Sequence, residues 1–223
     1  MVRICFGISL ALALAVIVLS LLMGGNPPLG DMPMKPGFAT PILALEFAQT
    51  QAELDFIRGA AAAALRDHLR TIQYWDQFFP FAYAGMAIAL MLALGLRGQR
   101  LAWLALGFAV LVIPADWMEN NVLNLLIADA EAGEVSSDRR LRALHAHTWI
   151  KWAAIAVYGW LSGLVFWLDR HRIEALMVWP GVLSIVIVWV TDSSGLAAEV
   201  MSVLMIPFML AFPVAAIRYL AQK

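Results

Sequence analysis

Four side chains able to hold charge or hydrogen-bond a ligand lie in a stretch that otherwise reads as a membrane-crossing helix. They are Asp116, Glu119, Asn120 and Asn124, within Leu101 to Ala128. Their spacing puts them on one helical face. A carboxylate inside a membrane segment is costly unless it is paired, so it faces protein or water rather than lipid. Pro114 precedes the cluster; a proline there frees a backbone carbonyl and favours a bend. Counted from Leu101, Asp116 lies roughly 22 Å along the helix, in its outer third.

Lys151 falls at a comparable depth in the next apolar stretch, and Asp76 marks the outer start of the one before. Asp192 and Glu199 bracket a further outer turn, and His68, His145 and His147 belong to the same side. The unusual polar residues thus gather in one layer.

Three kinds of chemistry suit such a layer. The first is structural: Lys151 neutralises Asp116 or Glu119, and the asparagines hydrogen-bond neighbouring helices. The second is a pocket for a membrane lipid, an isoprenoid-like molecule or another small amphiphile, with the polar head held by the carboxylates and Lys151. The third is metal-assisted hydrolysis using His145, His147 and a carboxylate. His-Ala-His sets its two rings about 200° apart on a helix, a poor arrangement for one shared metal. The better motif, two histidines four residues apart, is absent, so no metal ligand is assigned. No nucleotide, flavin or haem motif is present either, so no cofactor is expected. A proton or ion path needs polar groups through the full thickness, whereas the inner halves of most apolar stretches carry almost none.

The elements that must position these residues follow from composition. The chain is 62% hydrophobic and 14% charged, with a mean hydropathy of +0.79. A soluble domain is nearer half apolar and a quarter charged. The expected fold is therefore all-α, a single multi-pass membrane helix bundle filling residues 1–223. A net charge of −1 gives no basic field for nucleic acid. The single cysteine, Cys5, rules out an intrachain disulfide and a Cys-rich metal site.

A crossing helix needs roughly 20 apolar residues. Six stretches qualify or nearly so, at about 4–23, 78–96, 101–121, 148–168, 173–190 and 196–220. The first is read as a retained span rather than a cleaved signal, because its core is long and no small-x-small site follows. Arginines collect at alternate boundaries: Arg3, Arg97 with Arg100, Arg170 with Arg172, and Arg218 with Lys223. The positive-inside rule then places both termini in the cytoplasm, and the expected location is a bacterial-type plasma (inner) membrane. Tryptophans near both boundaries fit interfacial anchoring.

Two outer segments remain. Asn26 to Ala39 is rich in Gly and Pro and reads as a loop. Thr40-Pro41 then reads as an N-cap followed by proline at the first helical position. Thr50 with Glu53 forms a capping-box pattern, so a second helix is expected near Gln51. Residues 41–72 are therefore expected to form a helical segment on the outer face between spans one and two. Asp138 follows Ser136 and Ser137, either of which can cap the next helix. Arg139, Arg140 and Arg142 oppose the dipole at its start, and Asp129, Glu131, Glu134 and Asp138 are candidate partners.

These features together point to a membrane protein that binds a lipid-like small molecule or a membrane-protein partner at its outer face. The alternative is a small membrane-embedded enzyme acting on a lipid headgroup, with metal-assisted hydrolysis as one form of it.

Overall fold

The computed structural model describes residues 1–25 and 33–222, and among these it contains helices and no strand. Lys223 and residues 26–32, the first half of the stretch read as a loop, lie outside the described residues. Eight α-helices follow in chain order: α1 Val2–Met23, α2 Pro41–Glu46, α3 Ala63–Asp76, α4 Phe79–Leu96, α5 Arg100–Ala132, α6 Asp138–Leu168, α7 Arg172–Val190 and α8 Gly195–Ala221. Six helical stretches are long and apolar enough to cross a membrane: α1, α3 with α4, α5, α6, α7 and α8. The chain is a multi-pass membrane helix bundle. No sequence periodicity could have ordered these helices, since nearly all their faces are apolar.

The spans close into a ring. Helix α1 packs on α4, α4 on α5, α5 on α6, α6 on α7, α7 on α8, and α8 returns to α1. The α1–α8 seam is the sparsest of these contacts. Close approaches hold the other seams. Ser9 on α1 donates its hydroxyl to the Met86 carbonyl on α4 (3.0 Å). At the meeting of α6, α7 and α8, Gly159 and Gly181 leave room for the ring of Phe208. Small residues at such crossings are how apolar helices associate within lipid.

One end of the ring carries a cap made of α2, two 3₁₀ turns (Ala52–Ile57 and Ala60–Ala62) and α3. Thr40 is the N-cap of α2, and Pro41 takes its first position. The Thr40 hydroxyl, however, donates to Glu199 of α8 (2.8 Å) rather than capping its own helix. Glu199 also accepts from the backbone N–H groups of Ala39 (2.8 Å) and Thr40 (2.7 Å). Glycine is required beside this clamp: a Cβ on Gly195 would stand 2.5 Å from both Gly37 C and Phe38 N. Helix α2 is thereby pinned to the start of α8.

The segment expected to be helical over 41–72 is so, in separate pieces, but the second helix expected near Gln51 does not run on as one α-helix. The turn after Thr50 is 3₁₀ and stops at Arg58, and Gly59, at φ 74°, separates it from α3. Only half of the capping box forms: the Glu53 carboxylate accepts from the N–H groups of Gln49 (2.6 Å) and Thr50 (3.3 Å).

The third span also departs from expectation, because α5 runs to Ala132 rather than stopping near Asn121. Nothing after Asn121 breaks a helix until Gly133, whose left-handed conformation (φ 71°) ends it. Ser137 then caps α6 by accepting from Arg140 N–H (3.3 Å). Arg140 pairs with Asp129, one of its expected acidic partners.

The opposite, arginine-rich end has its own polar lock. Buried Glu174 accepts from Arg218 (2.8 Å) and lies 3.3 Å from His171 Nδ1. The Tyr219 hydroxyl donates to Asp169 (2.6 Å), and the His171 and Tyr219 rings stack. This lock ties the α6–α7 turn to the end of α8.

Candidate functional site

The polar layer forms where α2 meets the cap-side halves of α4, α5 and α6. Lys151, on α6, is its centre. The Lys151 ammonium is 2.8 Å from Glu46 Oε1 and in contact with Glu119 Oε2. Lys151 is only 7% exposed and Glu119 fully buried, so Glu119 depends on Lys151 and Thr148 for its partners. Two further donors complete the cluster. The indole N–H of Trp152 donates to Glu46 Oε1 (2.6 Å). The Thr148 hydroxyl meets Glu119 Oε1 and lies 3.3 Å from the Glu46 carbonyl.

Helix geometry explains this assembly. Thr148 and Lys151 are three residues apart on α6, so both face α5 and α2. On α5, Asp116 and Glu119 have the same offset and present two carboxylates one turn apart. Glu46, the last residue of α2, is carried over them by the clamp at Glu199.

Asp116 takes a different partner from Glu119. The Tyr83 hydroxyl, on α4, donates to Asp116 Oδ2 (2.5 Å). Of the two carboxylates weighed for Lys151, Glu119 makes the ion pair. Asn120 donates to the Asp76 carbonyl (3.3 Å) and so ties the α3–α4 junction to α5. Asn124 donates to the carbonyl of Asn120 one turn back (2.9 Å), a local contact on its own helix.

Beside this layer lies a cavity of about 600 Å³. Its polar lining is Glu46, Asp76, Tyr83, Asp116, Lys151 and the Trp152 indole, with Ser20 and Ser202 nearer the mouth. Apolar side chains of α1 and α8, among them Val16, Met205 and Met209, form the walls. The strongly exposed apolar residues of the lining, Ile17, Leu21, Ile206 and Leu210, all belong to α1 and α8. The cavity therefore opens sideways through the α1–α8 seam, toward the space that lipid fills around a membrane bundle.

Four of the six residues singled out in the sequence thus stand in or behind the cavity: Asp76, Asp116 and Lys151 line it, and Glu119 backs Lys151. Asn120 and Asn124 are outside its lining. Sequence reasoning passed over Glu46, Tyr83, Thr148 and Trp152. Glu46 had a visible signal, a lone carboxylate inside the apolar run from Pro41 to Ala48. Tyr83 had none, being one aromatic residue among many in an apolar span. Among the described residues, no group of three or more His, Cys, Asp or Glu side chains is placed to hold a metal ion. His145 instead lies against the Trp149 ring.

No family model, curated protein or solved structure matches the chain.

Proposed function

We propose that this membrane protein binds a lipid-like amphiphile in the cavity between α1 and α8, its head among the residues of the polar layer. One observation carries the reading: the space has apolar walls and a lateral mouth, yet Glu46, Asp76, Tyr83, Asp116 and Lys151 line it too. Ligand sites of roughly 300–1,000 Å³ combine such apolar walls with a few placed polar groups. A purely structural cluster would account for Lys151 and its partners. It would not account for a cavity left open beside them.

Quantitative lipid mass spectrometry tests this. The wild-type protein is expected to retain an amphiphile through purification, and Asp116→Asn should weaken that retention while leaving the fold intact. The amide matches the carboxylate in size but has lost its charge and one acceptor. Identical lipid profiles for the two proteins would remove the ligand reading.

The arginine distribution supports an orientation as well. The end carrying Arg97, Arg100, Arg170 and Arg172 is assigned to the cytoplasm of a bacterial-type cell and the cap to the outside, with the protein in the plasma membrane. In intact cells lacking Cys5, an impermeant thiol reagent should label Asp138→Cys and spare Arg97→Cys. The reverse pattern would invert the orientation.

A further inference from the structure

The charge pattern of the cavity identifies the class of head it takes. Three carboxylates line it, from Glu46, Asp76 and Asp116, against one ammonium, from Lys151. That ammonium is already engaged by Glu46 and by Glu119 behind it. Among the described residues, Asp116 hydrogen-bonds a neutral partner alone, the Tyr83 hydroxyl, which takes one of its two oxygens. Its other oxygen accepts no hydrogen bond among the described residues, although the side chain is 4% exposed and lines the cavity. Glu46 repeats the pattern. Lys151 and Trp152 both reach Oε1, and Oε2 is left without a hydrogen-bonded partner among the described residues. Neither oxygen is sealed off, so each can accept from a ligand in the cavity; two such carboxylates on one cavity suit a ligand that supplies donors and positive charge.

We infer that the amphiphile carries a cationic, donor-bearing head, a protonated amine on a long apolar tail, seated between Asp116, Asp76 and Glu46. This rests on the binding reading above and narrows it. An ammonium offers three donors and no acceptor, which matches a site whose free atoms are acceptors. An anionic head would meet three carboxylates and find Lys151 occupied. A neutral alcohol could donate once but would leave the charge unmatched. The chemistry is shared by an aminolipid of the bilayer and by a free lipophilic amine.

Photolabelling tests the inference. Diazirine-bearing long-chain amine and long-chain alcohol probes of equal length are presented to the protein in phosphatidylcholine nanodiscs. Labelling of peptides containing Ile17 and Met205 is normalised to labelling of the α7 peptide. The amine is expected to label the cavity at least about tenfold more than the alcohol, the ratio that a charge-assisted hydrogen bond confers. Asp116→Asn and, as a second variant at a half-buried position, Asp76→Asn should each reduce that preference. Equal labelling by the two probes would overturn the cationic head while leaving the cavity as a ligand site. An amine preference unchanged in both variants would overturn it too. No cavity labelling by either probe would overturn both this inference and the binding reading. Adding phosphatidylethanolamine to the discs separates the sources: competition by it identifies an aminolipid, and its failure to compete identifies a free amine, each on the same head chemistry.

Discussion

Replacing Lys151 by Met is expected to destabilise the protein by about 3–5 kcal/mol, the cost of removing one partner from a buried ion pair. Methionine fills nearly the same space, so the loss is electrostatic rather than a cavity effect. It strips the shared cation from Glu46 and Glu119, both of which are buried. Thermal melting in detergent, followed by circular dichroism, reads the effect directly. Adding Glu119→Gln to Lys151→Met should recover part of the loss, because one of the orphaned charges is then gone. A Lys151→Met protein that melts like the wild type would show that the cluster is not closed to water.

The second large effect is expected at Gly159. A Cβ there would stand 2.5 Å from Phe208 Cε2 and 2.9 Å from Val182 Cγ2, so it intrudes on α7 and α8 together. Overpacking of this kind costs about 1–3 kcal/mol when a small group is inserted. Gly159→Ala should fall in that range, and Gly159→Leu should exceed it by forcing the three helices apart. The two substitutions are compared by the same melting measurement. Wild-type melting in Gly159→Leu would contradict the close three-helix contact.

Much of this architecture was legible before any coordinates. Six apolar stretches of about the right length announce six long apolar helices, and their limits fall within a few residues of α1, α4, α7 and α8. The extension of α5 was less visible, because its cap-side turns are polar and hydropathy alone stops short of them, whereas the start of α6 was marked by the serines that cap it. The face shared by Asp116 and Glu119 followed from the helical repeat, and the depth of Lys151 followed from counting residues. Which carboxylate Lys151 takes depends on how α5 and α6 rotate against each other, and a one-dimensional pattern does not contain that. Glu46 was harder still. Its approach depends on a clamp between Thr40 and Glu199, 159 residues apart in the chain. The cavity is a space left between helices by a sparse α1–α8 seam, and no residue type announces such a gap.

The central claim is that an amphiphile occupies the space between α1 and α8. Native mass spectrometry, after bulk lipid has been exchanged for a mild sugar detergent, counts it directly. The wild-type chain is expected to hold a single retained adduct. Met205→Trp, which fills the cavity from the α8 wall without touching the charged cluster, should leave the chain folded and bare. A wild-type chain with no adduct, or an adduct that persists undiminished in Met205→Trp, would contradict the assignment.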